Sequence, residues 1–193
     1  MRPERQTHDS GASRKLRRIT RLSGIENDAS VVPHVTYPKS FATSTSRKIQ
    51  VSGEFMEGWA FYGEELCVQS GLYGNDLDGR YYTAQWERVH GARTIVDREL
   101  ASGAWSVDRA VQFFAHQTGF SVEQAKAAIA GIAWGPGYMI AYTAGRAEIE
   151  ALLAEYRAKG GAGASLRGFH DRLLCYGSTP LSVVGPALLA KLS

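Results

Sequence analysis

Glu57 and Glu64 stand seven residues apart in the run Glu57-Gly58-Trp59-Ala60-Phe61-Tyr62-Gly63-Glu64. On a helix that spacing brings two carboxylates nearly into line, about 20° apart around the axis. Phe55, Trp59, Tyr62 and Leu66 make an apolar stripe at helical period, widened on one side by Met56, Ala60 and Cys67. The two acids fall just beyond the stripe, with Phe61 and Val68 on their far side. A carboxylate among apolar neighbours is costly unless a cation, a metal or a proton compensates it. Pairing with Arg88 or Arg93, a wet groove, or metal ligation would each meet that need. Zinc takes three or four ligands from His, Cys and acidic groups, so Glu57 alone cannot hold it.

The other residue types able to do chemistry are few. None of the five histidines (His8, His34, His90, His116, His170) is followed by Glu, so the chain carries no HExxH zinc motif. His34, beside Pro33, reads as an exposed loop residue. His116 falls near a helix end, where it complements the dipole. His170-Asp171 falls in the first turn of a helix, where Asp171 suits the dipole and His170 is either packed or catalytic. Cys67 and Cys175 lack a CxxC partner and read as buried free thiols. Tyr81, Tyr82, Trp86, Phe113, Phe114, Trp134 and Tyr138 recur mostly at helical spacing, which assigns them to the core.

Seven helices must position these groups. The first is predicted over about Glu54 to Ser70 and the second over Gly79 to Arg98. Ser106 caps a third that ends at Thr118-Gly119. Ser121 with Gln124 gives a fourth its capping box. Gly135-Pro136-Gly137 breaks that helix, and a long fifth runs from about Tyr138 to Lys159. Gly160 to Gly163 is a turn, and lacks the Lys-Ser/Thr of a phosphate loop. Ser165 opens a sixth helix; Thr179-Pro180, as N-cap and first residue, opens a seventh. No alternating strand pattern of useful length occurs. The fold class is all-α.

Charge divides the chain. Residues 1–50 hold ten Lys and Arg against four acids, and residues 51–193 hold twelve against fifteen. Residues 1–52 therefore read as a basic Ser/Thr-rich disordered tail, and 53–193 as the helical domain. The tail has no apolar core of a secretory signal, its acids do not suit a transit peptide, and no aromatic interleaves its basic cluster. Nucleic acid and membrane are thus not expected partners, and a cytoplasmic location is expected. Two cysteines exclude a disulfide scaffold.

Five segments in order carry a resemblance. They are the EGWAFYGE of residues 57–64, Arg93-Thr94-Ile95-Val96-Asp97, Trp105-Ser106, Pro136-Gly137 with Tyr142 and Gly145, and Phe169-His170-Asp171 with Gly177, Pro180 and Leu181. Together they resemble the C-terminal part of the bacterial domain-of-unknown-function 885 family, whose members resemble gluzincin zinc metallopeptidases. The likeness covers about residues 53–192. It implies a zinc-dependent, peptidase-like hydrolase in which Glu57 is the third zinc ligand. Tyr142 and His170 are implied as oxyanion donors, with Tyr62, Glu64, Arg93 and Asp97 in the cleft or behind it.

The chain departs from that pattern. It lacks HExxH and the PGHH segment that accompanies the zinc helix in such families, so the chain alone is expected to hold zinc weakly and to be inactive. His90 stands where the family often has Arg, Ala101 where it often has His, and Tyr138 where it often has Gln. The expectation is a C-terminal fragment of a peptidase-like protein, an origin that gene truncation would explain. The alternative is a non-catalytic helical module that binds a peptide or a partner chain. An incomplete fold would expose apolar surface and self-associate.

Overall fold

The computed structural model describes residues 51–192, so the expected disordered tail of residues 1–52, with His8 and His34, lies outside the described residues except for Val51 and Ser52. Seven α-helices account for the described chain, with no strand among the described residues. In chain order they are α1 (Gly53–Gln69), α2 (Leu77–Ala101), α3 (Val107–Thr118), α4 (Val122–Ala133), α5 (Ile140–Gly160), α6 (Leu166–Leu174) and α7 (Leu181–Leu189). Short 3₁₀ turns follow α5 and α7. No described helix is long and apolar enough to cross a membrane.

Local chemistry sets most of the helix ends. The hydroxyl of Ser52 accepts from the Phe55 amide, that of Ser106 from Arg109, and that of Ser165 from Gly168. Ser121 and Gln124 form both bonds of the capping box. Gly119 closes α3 in the left-handed region at φ 74°, where a side chain would strain the backbone.

α2 starts at Leu77, two residues ahead of the sequence reading, with the Asp76 carboxylate accepting from the Gly79 amide, and two further starts differ in how they are capped. α7 begins at Leu181 with Pro180 as its cap residue, because the Thr179 hydroxyl donates to the Tyr176 carbonyl instead of capping. α5 begins at Ile140 with no bond from its own cap residue, Met139. Its start is held from another helix.

The core has two halves. In one, Phe55, Trp59 and Tyr62 of α1 meet Ile149 and Tyr156 of α5, Phe169 and Leu173 of α6, and Val184 of α7. In the other, Val89 and Val96 of α2 pack with Phe114 of α3 and Ile129 of α4. Each fully buried side chain of this size contributes roughly 1.5–3 kcal/mol relative to exposure. The α1 stripe is therefore buried as its period requires.

The aromatic assignment needs correction. Phe114 is buried, but Trp134 is 93% exposed, Tyr81 71% and Tyr82 62%. Periodicity reports a face and not what covers it. Tyr81 and Tyr82 sit in the first turns of α2, ahead of the part that packs on α3 and α4, and Trp134 sits past the end of α4. Cys67 is buried and Cys175 half-buried, both as free thiols.

Candidate functional site: the Glu57 face

α1 and α5 cross in backbone contact. A Cβ built on Gly58 would lie 2.4 Å from the Gly145 carbonyl carbon, and one on Gly145 would lie 2.0 Å from the Glu54 oxygen. Only paired glycines allow so close an approach. The crossing places Glu57 of α1 opposite the first turn of α5 and the segment leading into it. There the Tyr138 hydroxyl donates to Glu57 Oε1. Tyr142, one turn further on, is in the electrostatic field of the same carboxylate.

The two phenols are held in their protonated state. Glu57 accepts a hydrogen bond from Tyr138, and that bond, with some burial, pushes the Tyr138 pKa up to about 12. Burial, then the Glu57 charge, raises Tyr142 as well. Both hydroxyls are donors throughout the neutral range.

Asp97 of α2 aims this arrangement. It is almost wholly buried, and its Oδ1 accepts from the Gly137 amide at 2.7 Å while Oδ2 accepts from the Met139 amide at 2.8 Å. Those amides flank Tyr138 in the chain. Gly137 has φ 85°, which only glycine adopts cheaply. The carboxylate thus replaces the missing cap of α5 and fixes the backbone on either side of the tyrosine. Thr94 adds bonds to the Met139 carbonyl at 3.3 Å and to the Thr143 hydroxyl at 3.1 Å.

A row of rings leads away from the acid. Tyr138 meets Tyr142 edge-on, Tyr142 stacks on His90 at 4.7 Å with planes 24° apart, and His90 meets Trp86, which meets Tyr82. Phe61 closes over His90 from α1 at 4.7 Å. His90 is 6% exposed, and its Nδ1 has no hydrogen-bond partner among the described residues. Burial, then the Arg93 charge, pushes its pKa down to about 4, so the imidazole is neutral. Arg93 lies over Trp86, its Cζ 5.2 Å from the ring centre.

The remaining predicted residues go elsewhere. Tyr62 lies about 140° around α1 from Glu57, by the helical repeat. Its hydroxyl bonds His170 Nε2 at 2.9 Å inside the core, where Trp59 meets the imidazole edge-on. Burial raises the Tyr62 pKa to about 12. The structure thus joins Tyr62 to His170 but does not bring either to Glu57.

Glu64 stays on the Glu57 side of α1, two turns on, with a buried Oε2 that has no hydrogen-bond partner among the described residues. Burial raises its pKa, opposed by Arg146 and reinforced by Glu87. Arg146 itself bridges Glu87 of α2 at 3.0 Å and Glu150 of α5 at 2.8 Å, and lies over the Phe61 ring. Neither glutamate takes the arginines foreseen for it. Arg88 donates instead to the Gln117 carbonyl.

The donor set decides how far zinc suits these residues. No group of three or more His, Cys, Asp or Glu gathers among the described residues. Glu57 offers one carboxylate, and a zinc site needs three or four ligands. The described residues alone do not fit the ion.

Residues 38–188 match the family model described as "Bacterial protein of unknown function (DUF885)". The chain is a member of the DUF885 family. The matched segment begins upstream of the helical domain and includes every residue of the Glu57 face. Among solved structures, the chain is similar to a candidate lipoprotein of Colwellia psychrerythraea, at 29% identity and a TM-score of 0.71, over 76% of this chain and 25% of that protein. It is also similar in fold to a candidate lipoprotein of unknown function from Shewanella oneidensis, at 20% identity and a TM-score of 0.70, over 96% of this chain and 35% of that one. This DUF885 chain therefore spans a quarter to about a third of these proteins. The comparison with curated proteins yields no match.

Tyr138 and His90 are the residues that sequence reading undervalued. Both stood out only as departures from the family pattern, and Tyr138 was assigned to the core. A usable signal was present in the i, i+4 series Tyr82, Trp86, His90 and the i, i+4 pair Tyr138, Tyr142. Each reads as one ring-bearing face, and the two faces meet.

Proposed function

We propose that this DUF885 chain is the C-terminal, helical part of a zinc-dependent, peptidase-like hydrolase, and that it is inactive alone. The observation that carries the reading is the Tyr138 hydroxyl on Glu57 Oε1, with Tyr142 beside it. A half-buried carboxylate next to two protonated phenols is suited to one ligand position of a metal and to donation toward a developing oxyanion. Zinc, when bound, would supply a polarised carbonyl and an acidified water. The remaining ligands would come from outside the described residues. Here the chain's own residues orient: Asp97 holds Tyr138, Tyr138 holds Glu57, and His90 supports Tyr142 by stacking. His170 keeps a core role with Tyr62.

Calorimetric zinc titration tests this. The chain alone should show no tight site. Co-expressed with the N-terminal three-quarters of the Colwellia psychrerythraea protein, it should form a complex that retains zinc and loses it in Glu57→Ala. One tight zinc on the isolated chain, or a complex indifferent to Glu57→Ala, would overturn the proposal.

The exposed aromatic residues of α2 favour a second reading, a binding module without catalysis. Leu77, Tyr81 and Tyr82 present a large apolar area at one end of that helix. In that case the chain should bind peptides while Glu57→Gln leaves their affinity unchanged.

A further inference from the structure

Two half-buried arginines lie near the α1–α5 crossing, and they differ in one respect. Arg146 is saturated, with Glu87 at 3.0 Å and Glu150 at 2.8 Å. Arg93 has no acidic partner and no hydrogen-bond acceptor among the described residues. Its Cζ lies 5.2 Å from the centre of the Trp86 ring, within cation–π range, and none of its N–H groups meets an acceptor among the described residues. Tyr142 lies in the fields of both Glu57 and Arg93, which puts the cation on the same face as the carboxylate of the candidate site. Next to it, His90 is nine-tenths buried with an unpartnered Nδ1.

We propose that Arg93, seated on Trp86 beside Tyr142, forms a subsite that binds the carboxylate of a peptide ligand lying along the aromatic row. The guanidinium edge matches a carboxylate with two parallel hydrogen bonds. Tyr82, exposed at the end of the row, offers an apolar ring to the residue that bears it. Burial holds the Arg93 pKa below its usual value, opposed by Tyr142. A singly charged group suits the place better than a phosphate, because Glu57 would repel the second charge. The inference rests on the reading of this face as a ligand cleft, but it requires no metal.

Calorimetry with three peptides tests it without zinc: N-acetyl-Phe-Phe as the free acid, the same peptide as its C-terminal amide, and N-acetyl-Phe-Glu-amide. At low salt at least one acid should bind about tenfold or more tighter than the amide, the gain expected of a charge-assisted pair. A preference for the first acid identifies a chain-terminal carboxylate as the ligand, and one for the third an acidic side chain. Arg93→Ala should abolish the preference, and Arg93→Lys, which keeps the charge and loses the fork, should retain only part of it. The inference is overturned if no peptide binds, if all three bind equally, or if the preference survives in Arg93→Ala. Zinc retention is read in Glu57→Ala and carboxylate selectivity in Arg93→Ala, so the two losses report on separate claims.

Discussion

Gly58 and Gly145 face one another across the α1–α5 crossing so closely that a Cβ on Gly145 would lie 2.8 Å from the Gly58 Cα. That contact fixes the distance from Glu57 on α1 to Tyr138 and Tyr142 at the start of α5. Gly145→Ala should therefore destabilise the domain by roughly 3 kcal/mol, since the obstructing atoms are backbone and cannot rotate away. Urea unfolding gives the value, and a variant as stable as the parent would contradict the crossing geometry. Gly131, with open space around it, is the control: Gly131→Ala should be neutral or mildly stabilising.

Asp97→Asn removes a buried carboxylate oxygen that accepts from an amide, and offers an NH₂ group in its place. One of the Gly137 and Met139 amides then loses its acceptor, at a cost of about 1–3 kcal/mol. Thermal unfolding should register the loss. Hydrogen exchange should accelerate at Gly137 and Met139 beyond the rest of the chain.

The bond between Tyr138 and Glu57 has a spectroscopic signature. With tyrosines labelled at Cζ, Tyr138 should ionise near pH 12. In Glu57→Gln it should return toward 10, because the charged acceptor that holds the phenolic proton is gone. An unmoved titration in Glu57→Gln would place the hydroxyl elsewhere.

His90 makes stability depend on pH in a defined window. Its pKa is about 4 in the folded chain against an ordinary value of 6.5. Between those values the unfolded state takes up a proton that the folded state refuses, so stability falls as pH drops from about 6.5 to 4. The full loss is on the order of 3 kcal/mol. Denaturant unfolding at pH 7 and pH 4.5 measures it. His90→Phe should flatten that part of the profile while keeping the stack on Tyr142.

Helix starts and stops were legible in the sequence because their causes are local. The Ser106, Ser121 and Ser165 caps, the capping box and the left-handed Gly119 each involve residues within one turn. Where a cap came from afar, local reading missed it: α5 is started by Asp97, forty residues upstream of Gly137.

The sequence by itself determined an all-α chain, a buried stripe on α1, and two carboxylates set just outside that stripe. Those are properties of a repeat of 3.6 residues and of side chains acting on their own turn. Only the tertiary structure decided what each acid meets. Glu57 finds Tyr138 and Glu64 lies by Arg146, while Tyr62 and His170 close on each other in the core. That choice is made by a glycine-to-glycine crossing and by a buried carboxylate reaching across helices. No periodicity encodes such contacts, because their partners are distant in sequence and adjacent only once the chain is packed.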